Sequence, residues 1–400
     1  MQRDIACLRN IGIMSSVDVG STTCRERIVG VADDARRSDG ERARGASVPA
    51  LPAITLSWTP LSGCLAGEET SVTLLETDAL AALDGALFAL DGARGSVESR
   101  EAAFRAARAR GVPAVAFVDD VGDIADLEAT AAALEQELAS PAVLVHVPWR
   151  DDDGVHVVDV LEQRLVVERG GGLGRELRRV PPAARHVVAR MRRRLVDVCA
   201  ELDEAVRGAS AVGVDVGAYE LARVLRRATR AREGSVIPVT CGSLRARRGV
   251  GLLLDALVSY LPSPAERPPA LGADPRRGVT VARFACGEDP VSAYAFASTD
   301  DRALGRLTWL RVQSGTLRAR EPLLVLPRDR RGAFEQLFIS AREGFERIEE
   351  AGPGSVVCAT GFPEVSAGET LSDLRAPVVF AQTPSSGPKR RSAAAGTHAT

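Results

Sequence analysis

The sequence predicts an α/β protein: a mainly parallel sheet with helices on both faces, an α+β insertion, and then an antiparallel β-barrel. Through the first two-thirds, short apolar runs alternate with segments whose apolar residues recur three or four apart, the alternation that builds strand–helix–strand units. Residues 127–233 break that alternation with arginine-dense stretches and the run Gly170-Gly171-Gly172, and read as an insertion between two core strands. From 291 to 380, short alternating runs are punctuated by Ser314-Gly315 and Gly352-Pro353-Gly354, the pattern of a compact antiparallel barrel.

The strand runs of the first domain, 8–265, are Ile11-Gly12-Ile13-Met14, then 72–75, 86–90, 114–118 and 237–240. Each ends where polar or glycine residues begin. Helical periodicity is clearest at 101–110 and 251–261. In sheets connected this way ligands gather at the carboxyl ends of the strands, so the loops there are where chemistry is expected. The insertion holds a β-like stretch at 142–160 and two arginine-laden helices, 183–206 and 219–231. Pro262, Pro264, Pro268, Pro269 and Pro275 predict a linker, placed at 266–290. The barrel includes Arg306-Leu307-Thr308-Trp309-Leu310-Arg311-Val312, and residues 381–400, rich in Ser, Pro, Ala and Gly, predict a disordered tail.

Composition narrows the class. The chain has 400 residues, 45% of them apolar, and 51 Lys+Arg against 53 Asp+Glu give a net charge of −2. That excludes a small stapled scaffold and a wholly disordered polyelectrolyte. Lys389, in the tail, is the sole lysine, so no lysine ammonium can serve a site in the body of the protein. Seven cysteines without a CxxC pair and four histidines form no zinc spacing or disulfide framework. No apolar run approaches the roughly 18 residues that cross a bilayer. A soluble, cytoplasmic monomer is expected, with neither membrane nor DNA as partner.

After the first strand comes Ser15-Ser16-Val17-Asp18-Val19-Gly20-Ser21-Thr22-Thr23, then a helix opening at Cys24-Arg25-Glu26-Arg27. This is the strand–loop–helix frame of a phosphate-binding loop, in which backbone N–H groups and a helix N-terminus face phosphate. The motif needs glycine, lysine and a hydroxyl residue in succession. Gly20 and Thr22 are in place, but Ser21 holds the lysine position. Arg25, a turn into the helix, is expected to point elsewhere.

The stretch Arg9-Asn10-Ile11-Gly12-Ile13-Met14, with this loop and Thr22-Thr23-Cys24-Arg25-Glu26-Arg27-Ile28, resembles the amino-terminal G domain of bacterial elongation factor G, a P-loop NTPase-like domain. So does CGSLRARRGVGLLLDALVSYLPSP at 241–264, similar to that domain's fifth guanine-nucleotide motif and exit helix. LTWLRVQSGTLRAREPLLVLP at 307–327 is similar to the family's second domain, and the insertion corresponds to its extra subdomain. The resemblance covers about residues 8 to 380. It implies a translational GTPase with GTP or GDP and Mg2+ as cofactors. It also implies the ribosome as partner, through a stalk protein at the insertion and small-subunit RNA at the barrel. Only two of the family's five domains are expected, so translocation is not.

Residue by residue, the resemblance assigns the phosphate loop to Asp18, Val19, Gly20, Ser21, Thr22 and Thr23, with Thr22 as the magnesium hydroxyl. Ser21 donates one neutral hydrogen bond where a cation is expected, a loss of about 3–5 kcal/mol by analogy with broken buried ion pairs. Ile54-Thr55-Leu56 matches the first switch, with Thr55 toward magnesium, although the triplet equally suits any strand. The second switch reads Leu74-Leu75-Glu76-Thr77-Asp78. Glu76 is the remaining magnesium-shell candidate, and the histidine that orients water is missing. The base-specificity motif corresponds to Asp119-Asp120-Val121-Gly122, where Gly122 replaces the selective aspartate and Asp123 fits only if the loop slips by one. Gly242 and Ser243 would meet the base through their backbone. No catalytic residue is assigned.

The expectation is therefore a divergent elongation factor G-like protein with weak or no GTP hydrolysis. The alternative is a non-enzymatic ribosome- or stalk-binding module, and a gene remnant without selected activity stays open. Arg175, Arg178, Arg179, Arg185, Arg190, Arg192, Arg193 and Arg194, continued by Arg223, Arg226, Arg227, Arg230 and Arg232, can bind RNA phosphates or acidic protein. They equally suit solvated faces with glutamate partners.

Overall fold

Eight consecutive buried residues form β1 (Leu8–Ser15), and α1 (Ser21–Arg36) follows it. The computed structural model describes residues 4–15, 20–36, 51–76, 80–92, 101–151, 154–169, 174–231, 236–362 and 365–380. Asp18, Val19, Gly170-Gly171-Gly172 and the expected tail with Lys389 lie outside the described residues. Next come β2 (Ala53–Trp58), β3 (Thr70–Leu75), β4 (Gly85–Asp91), α2 (Glu101–Ala109), β5 (Ala114–Asp119), α3 (Ile124–Leu138) and β6 (Ala142–Leu144).

The insertion supplies β7 (His146–Asp151), β8 (Gly154–Asp159), β9 (Arg164–Arg169), β10 (Gly174–Arg179), α4 (Arg185–Leu202), α5 (Glu204–Ala211) and α6 (Ala218–Arg230). The chain returns through β11 (Ile237–Gly242) and α7 (Val250–Tyr260). The main sheet has the order β2-β3-β1-β4-β5-β11-β6, parallel throughout except for β2, which runs antiparallel to β3 at the edge. Its strands are near-continuous apolar runs because helices cover the sheet. Phe104 of α2 stacks on Phe88 of β4, ring centroids 4.2 Å apart.

The insertion leaves the main sheet at His146, later than the expected 127. Ala142-Val143-Leu144 is a buried run that pairs in parallel with Ile237-Pro238-Val239, so α3 and β6 belong to the core. Strands β7 to β10 form a separate antiparallel sheet in the order β10-β9-β8-β7. Arginines of helices α4 and α6 are engaged: Arg190 with Glu128 at 3.0 Å, Arg194 with Glu135 at 2.8 Å, Arg223 with Glu220 at 2.9 Å and Arg227 with Asp203 at 2.8 Å. Glutamate-partnered faces describe these helices better than an open phosphate-binding stripe.

The passage expected to be a linker folds as a hairpin, β12 (Ala270–Ala273) with β13 (Thr280–Arg283). The prolines precede and close it rather than interrupt it, which is where a strand tolerates them. The second domain then runs β14 (Ser292–Asp301), β15 (Gly305–Ser314), β16 (Leu317–Arg318), β17 (Leu323–Leu326), β18 (Arg330–Gly332), β19 (Gln336–Ala341), β20 (Gly344–Ile348), β21 (Glu350–Ala351), β22 (Val356–Thr360), β23 (Thr370–Ser372) and β24 (Val379–Phe380). Eight of these strands form one antiparallel sheet, β18-β17-β23-β14-β15-β22-β19-β20, while β24 joins the hairpin. The antiparallel sheet fits the expected second domain, and among the described residues no pairing of β18 with β20 closes it. The edge strand Arg330-Arg331-Gly332 is short, charged and largely exposed, as edges that resist further pairing are.

The two domains share a core. Trp309, Phe338, Val356 and Cys358 join the apolar cluster of the main sheet. A polar knot lies beside them: Arg311 meets Asp84 at 2.7 Å, and Asn10 donates to Asp84 at 2.6 Å and to the Gly354 carbonyl at 2.9 Å. Ser340 adds a hydrogen bond to the Ala53 carbonyl, 2.7 Å. No helix among the described residues is long and apolar enough to cross a membrane, and all seven cysteines are free thiols.

Candidate functional site

The carboxyl ends of β1, β3, β5 and β11 open on one edge of the main sheet, where the order reverses around β1, the position at which such sheets bind ligands. Gly20 has φ 68°, a left-handed conformation that favours glycine. Its carbonyl accepts from Cys24 N–H at 3.0 Å, so α1 begins at Ser21, three residues earlier than expected. Ser21, Thr22 and Thr23 therefore form its first turn, with Thr22 and Thr23 exposed.

The structure brings Thr22 and Glu76 together, the Thr22 hydroxyl donating to Oε2 at 3.4 Å. It adds a group that the sequence reading turned away: the Arg25 Nε lies 3.3 Å from Glu76 Oε1, and its Nη1 donates to the Leu51 carbonyl. Arg25 is fully buried. It sits beside Cys24 on the inward face of α1, which also carries Ile28 and Val31. That spacing, with an acid at position 76, was the available signal; a polar residue on the apolar stripe needs a buried partner. Burial raises the Glu76 carboxyl while Arg25 and the Thr22 hydrogen bond hold it down.

Thr55 is not part of this group. It lies opposite Thr73 in the β2–β3 ladder, the two hydroxyls 3.0 Å apart, whereas Ala53 is the residue opposite Leu75, next to Glu76. The strand reading of Ile54-Thr55-Leu56 is the one the geometry follows.

At the end expected to meet the base, the Asp119 Oδ1 accepts from the Leu244 N–H at 2.7 Å. Asp120, with φ 48°, donates its N–H to the Gly242 carbonyl at 2.9 Å. Burial pushes the Asp119 carboxyl up to about 6, against the pull of the Leu244 hydrogen bond. The Ser243 N–H donates to the Arg248 carbonyl at 2.8 Å, and Arg248 returns the bond at 2.9 Å. A Cβ on Gly242 would lie 2.2 Å from that Arg248 oxygen, so only glycine fits the turn. Asp123 has not slipped into the Gly122 position: it caps α3, accepting from Asp126 N–H at 2.9 Å.

Two features among the described residues count against the usual geometry for GTP or GDP with Mg2+. A magnesium ion held by Glu76 would have to share that carboxylate with the Arg25 guanidinium, which lies 3.3 Å from Oε1 and already neutralises it. The Ser243 N–H, which would face a base, already donates to the Arg248 carbonyl, and residue 122 is glycine. What the site does chemically is hold its own carboxylate with its own cation.

Residues 290–374 match the family model for elongation factor G domain 2. A crystal structure of a protein from Thermus thermophilus superimposes with a TM-score of 0.71 at 23% identity, over 95% of this chain and 56% of that one. The chain thus spans little more than half the length of the Thermus protein. It carries a segment similar to elongation factor G domain 2 within a fold shared with that protein along nearly its whole length.

Proposed function

We propose that the chain is an elongation factor G-like member of the translational GTPases that works as a pseudo-GTPase, a ribosome-binding module independent of GTP hydrolysis. The observation that carries this reading is the Arg25–Glu76 pair: the switch carboxylate that would serve Mg2+ is already neutralised from within α1. The second-domain match supports the ribosome as partner, with small-subunit RNA and the stalk protein as its points of contact.

A second reading, weak nucleotide binding without hydrolysis, rests on the exposed Thr22 and Thr23 in the first turn of α1, a helix N-terminus suited to phosphate. Titration with fluorescent GTP in excess Mg2+ separates the two. The proposal expects no saturable binding below the high-micromolar range; submicromolar affinity overturns it. The double variant Ser21→Lys with Arg25→Met restores a loop cation and removes the internal one, and is expected to raise GTP affinity by about tenfold or more. Co-sedimentation with ribosomes in the absence of nucleotide is expected, and its failure at low salt removes the ribosome from the reading.

A further inference from the structure

Between α7, α6, strands β7 and β8 of the insertion, and the turn after β2 lies a cavity of about 110 Å3. On a scale of roughly 10–15 Å3 per water this holds several molecules. Ala222, Leu252 and Ala256 give it an apolar wall. The facing wall is polar and only partly satisfied. His146 is 6% exposed and its Nδ1 has no hydrogen-bond partner; Ser259 is 2% exposed and its hydroxyl has none either. Burial lowers the His146 imidazole to about 4, so it is neutral at physiological pH.

Two buried carboxylates line the same space, and they differ. Asp255 is fully engaged, accepting from Trp58 Nε1 at 2.8 Å, Ser62 Oγ at 3.0 Å and Arg175 Nη1 at 2.6 Å. Asp159 takes two backbone donors, Leu161 and Glu162 N–H at 2.8 and 2.9 Å, both on Oδ1. Arg192 acts on it electrostatically but turns its guanidinium to the carbonyls of Val160, Leu161 and Val216 and to Asp215 at 3.6 Å. None of the residues lining the cavity is a lysine or arginine. A buried carboxylate without a directly paired cation, beside a neutral imidazole whose Nδ1 has no partner and an unpartnered hydroxyl, has the donor and acceptor set of a receptor for a positively charged group. No cluster of His, Cys, Asp or Glu among the described residues suits a metal ion, and the alanine and leucine wall suits an alkyl chain.

We propose that this cavity binds a small organic cation, a primary amine with a short alkyl chain. Its ammonium is held by Asp159 and its polar end is received by His146 and Ser259. The site is remote in sequence from the phosphate loop and stands or falls independently of how that loop treats nucleotide.

Calorimetric titration of the full chain with 1,4-diaminobutane and ethanolamine, against 1,4-butanediol and ethylene glycol as uncharged analogues, tests it. The amines are expected to bind saturably at one site and the diols not. Asp159→Asn keeps an acceptor for the Leu161 and Glu162 N–H groups and is expected to weaken amine binding by about tenfold or more. Ala222→Met, which fills the apolar wall, is expected to abolish it, and carries the test should Asp159→Asn fail to fold. No heat with either amine, equal binding of the diols, undiminished binding in the variants, or amine-soaked crystals holding only ordered water in the cavity each overturn the proposal.

Discussion

Arg311–Asp84 and Arg25–Glu76 are arginine–carboxylate pairs at opposite ends of the same sheet, one just before β4 and one just after β3. At the first, both side chains are 4–5% exposed, the contact is 2.7 Å, and Asn10 and the Gly354 carbonyl complete the set. At the second, Arg25 is wholly buried but Glu76 is 22% exposed, the contact is 3.3 Å, and the Thr22 hydroxyl and the Leu51 carbonyl join it. The first is a finished structural joint between two domains. The second occupies the strand ends where a ligand would be held, and keeps access to water.

The largest difference is expected in stability. Asp84→Ala leaves Arg311 buried without its counter-charge and should cost about 3–5 kcal/mol, read from denaturant midpoints. Because the apolar core runs through the joint, both domains should lose structure in one transition. A loss below about 1 kcal/mol, or separate transitions for the two domains, would break the contrast.

Arg25→Met should cost less, about 1–3 kcal/mol, because water reaches Glu76 and limits the penalty of an unpaired group. The sign with pH follows from the raised Glu76 carboxyl. Without its cation that group is raised further, so the folded variant holds the proton more tightly than the unfolded chain does. The contribution of this group is then fully present in acid and is lost as pH rises through the folded-state value. The gap between variant and parent should therefore widen from pH 4 toward neutrality. A gap that narrows over that range would mean that Arg25 and Glu76 are not the coupled pair.

The same contrast marks what the sequence made legible. The apolar runs at 86–90 and 114–118 and the periodic stretches at 101–110 and 251–261 became β4, β5, α2 and α7, because burial on a helix-covered sheet writes itself into local pattern. Arg25 was legible in part: its place on the apolar stripe of α1 marks a cation that needs a buried partner, but that partner is 51 residues away and no local pattern names Glu76. The hairpin at 270–283 was hidden by flanking prolines that signal a linker, yet its second neighbour is β24, from the far end of the domain. Thr55 shows the opposite limit: the triplet that matches a motif also forms a strand, with Thr55 opposite Thr73.

Thr55 gives the smallest and cleanest test of the difference between a motif match and a site. Among the described residues its hydroxyl meets Thr73 across the β2–β3 ladder, and valine preserves both shape and strand preference. Thr55→Val therefore removes one partly buried neutral hydrogen bond and should change stability by no more than about 1 kcal/mol, with GTP titration unchanged within error. Thr73→Val should give the same result, and the double variant should fall short of the sum of the two, since both single changes break one bond. Additive losses, or a nucleotide effect confined to Thr55→Val, would return Thr55 to the switch and draw the site back toward a working GTPase.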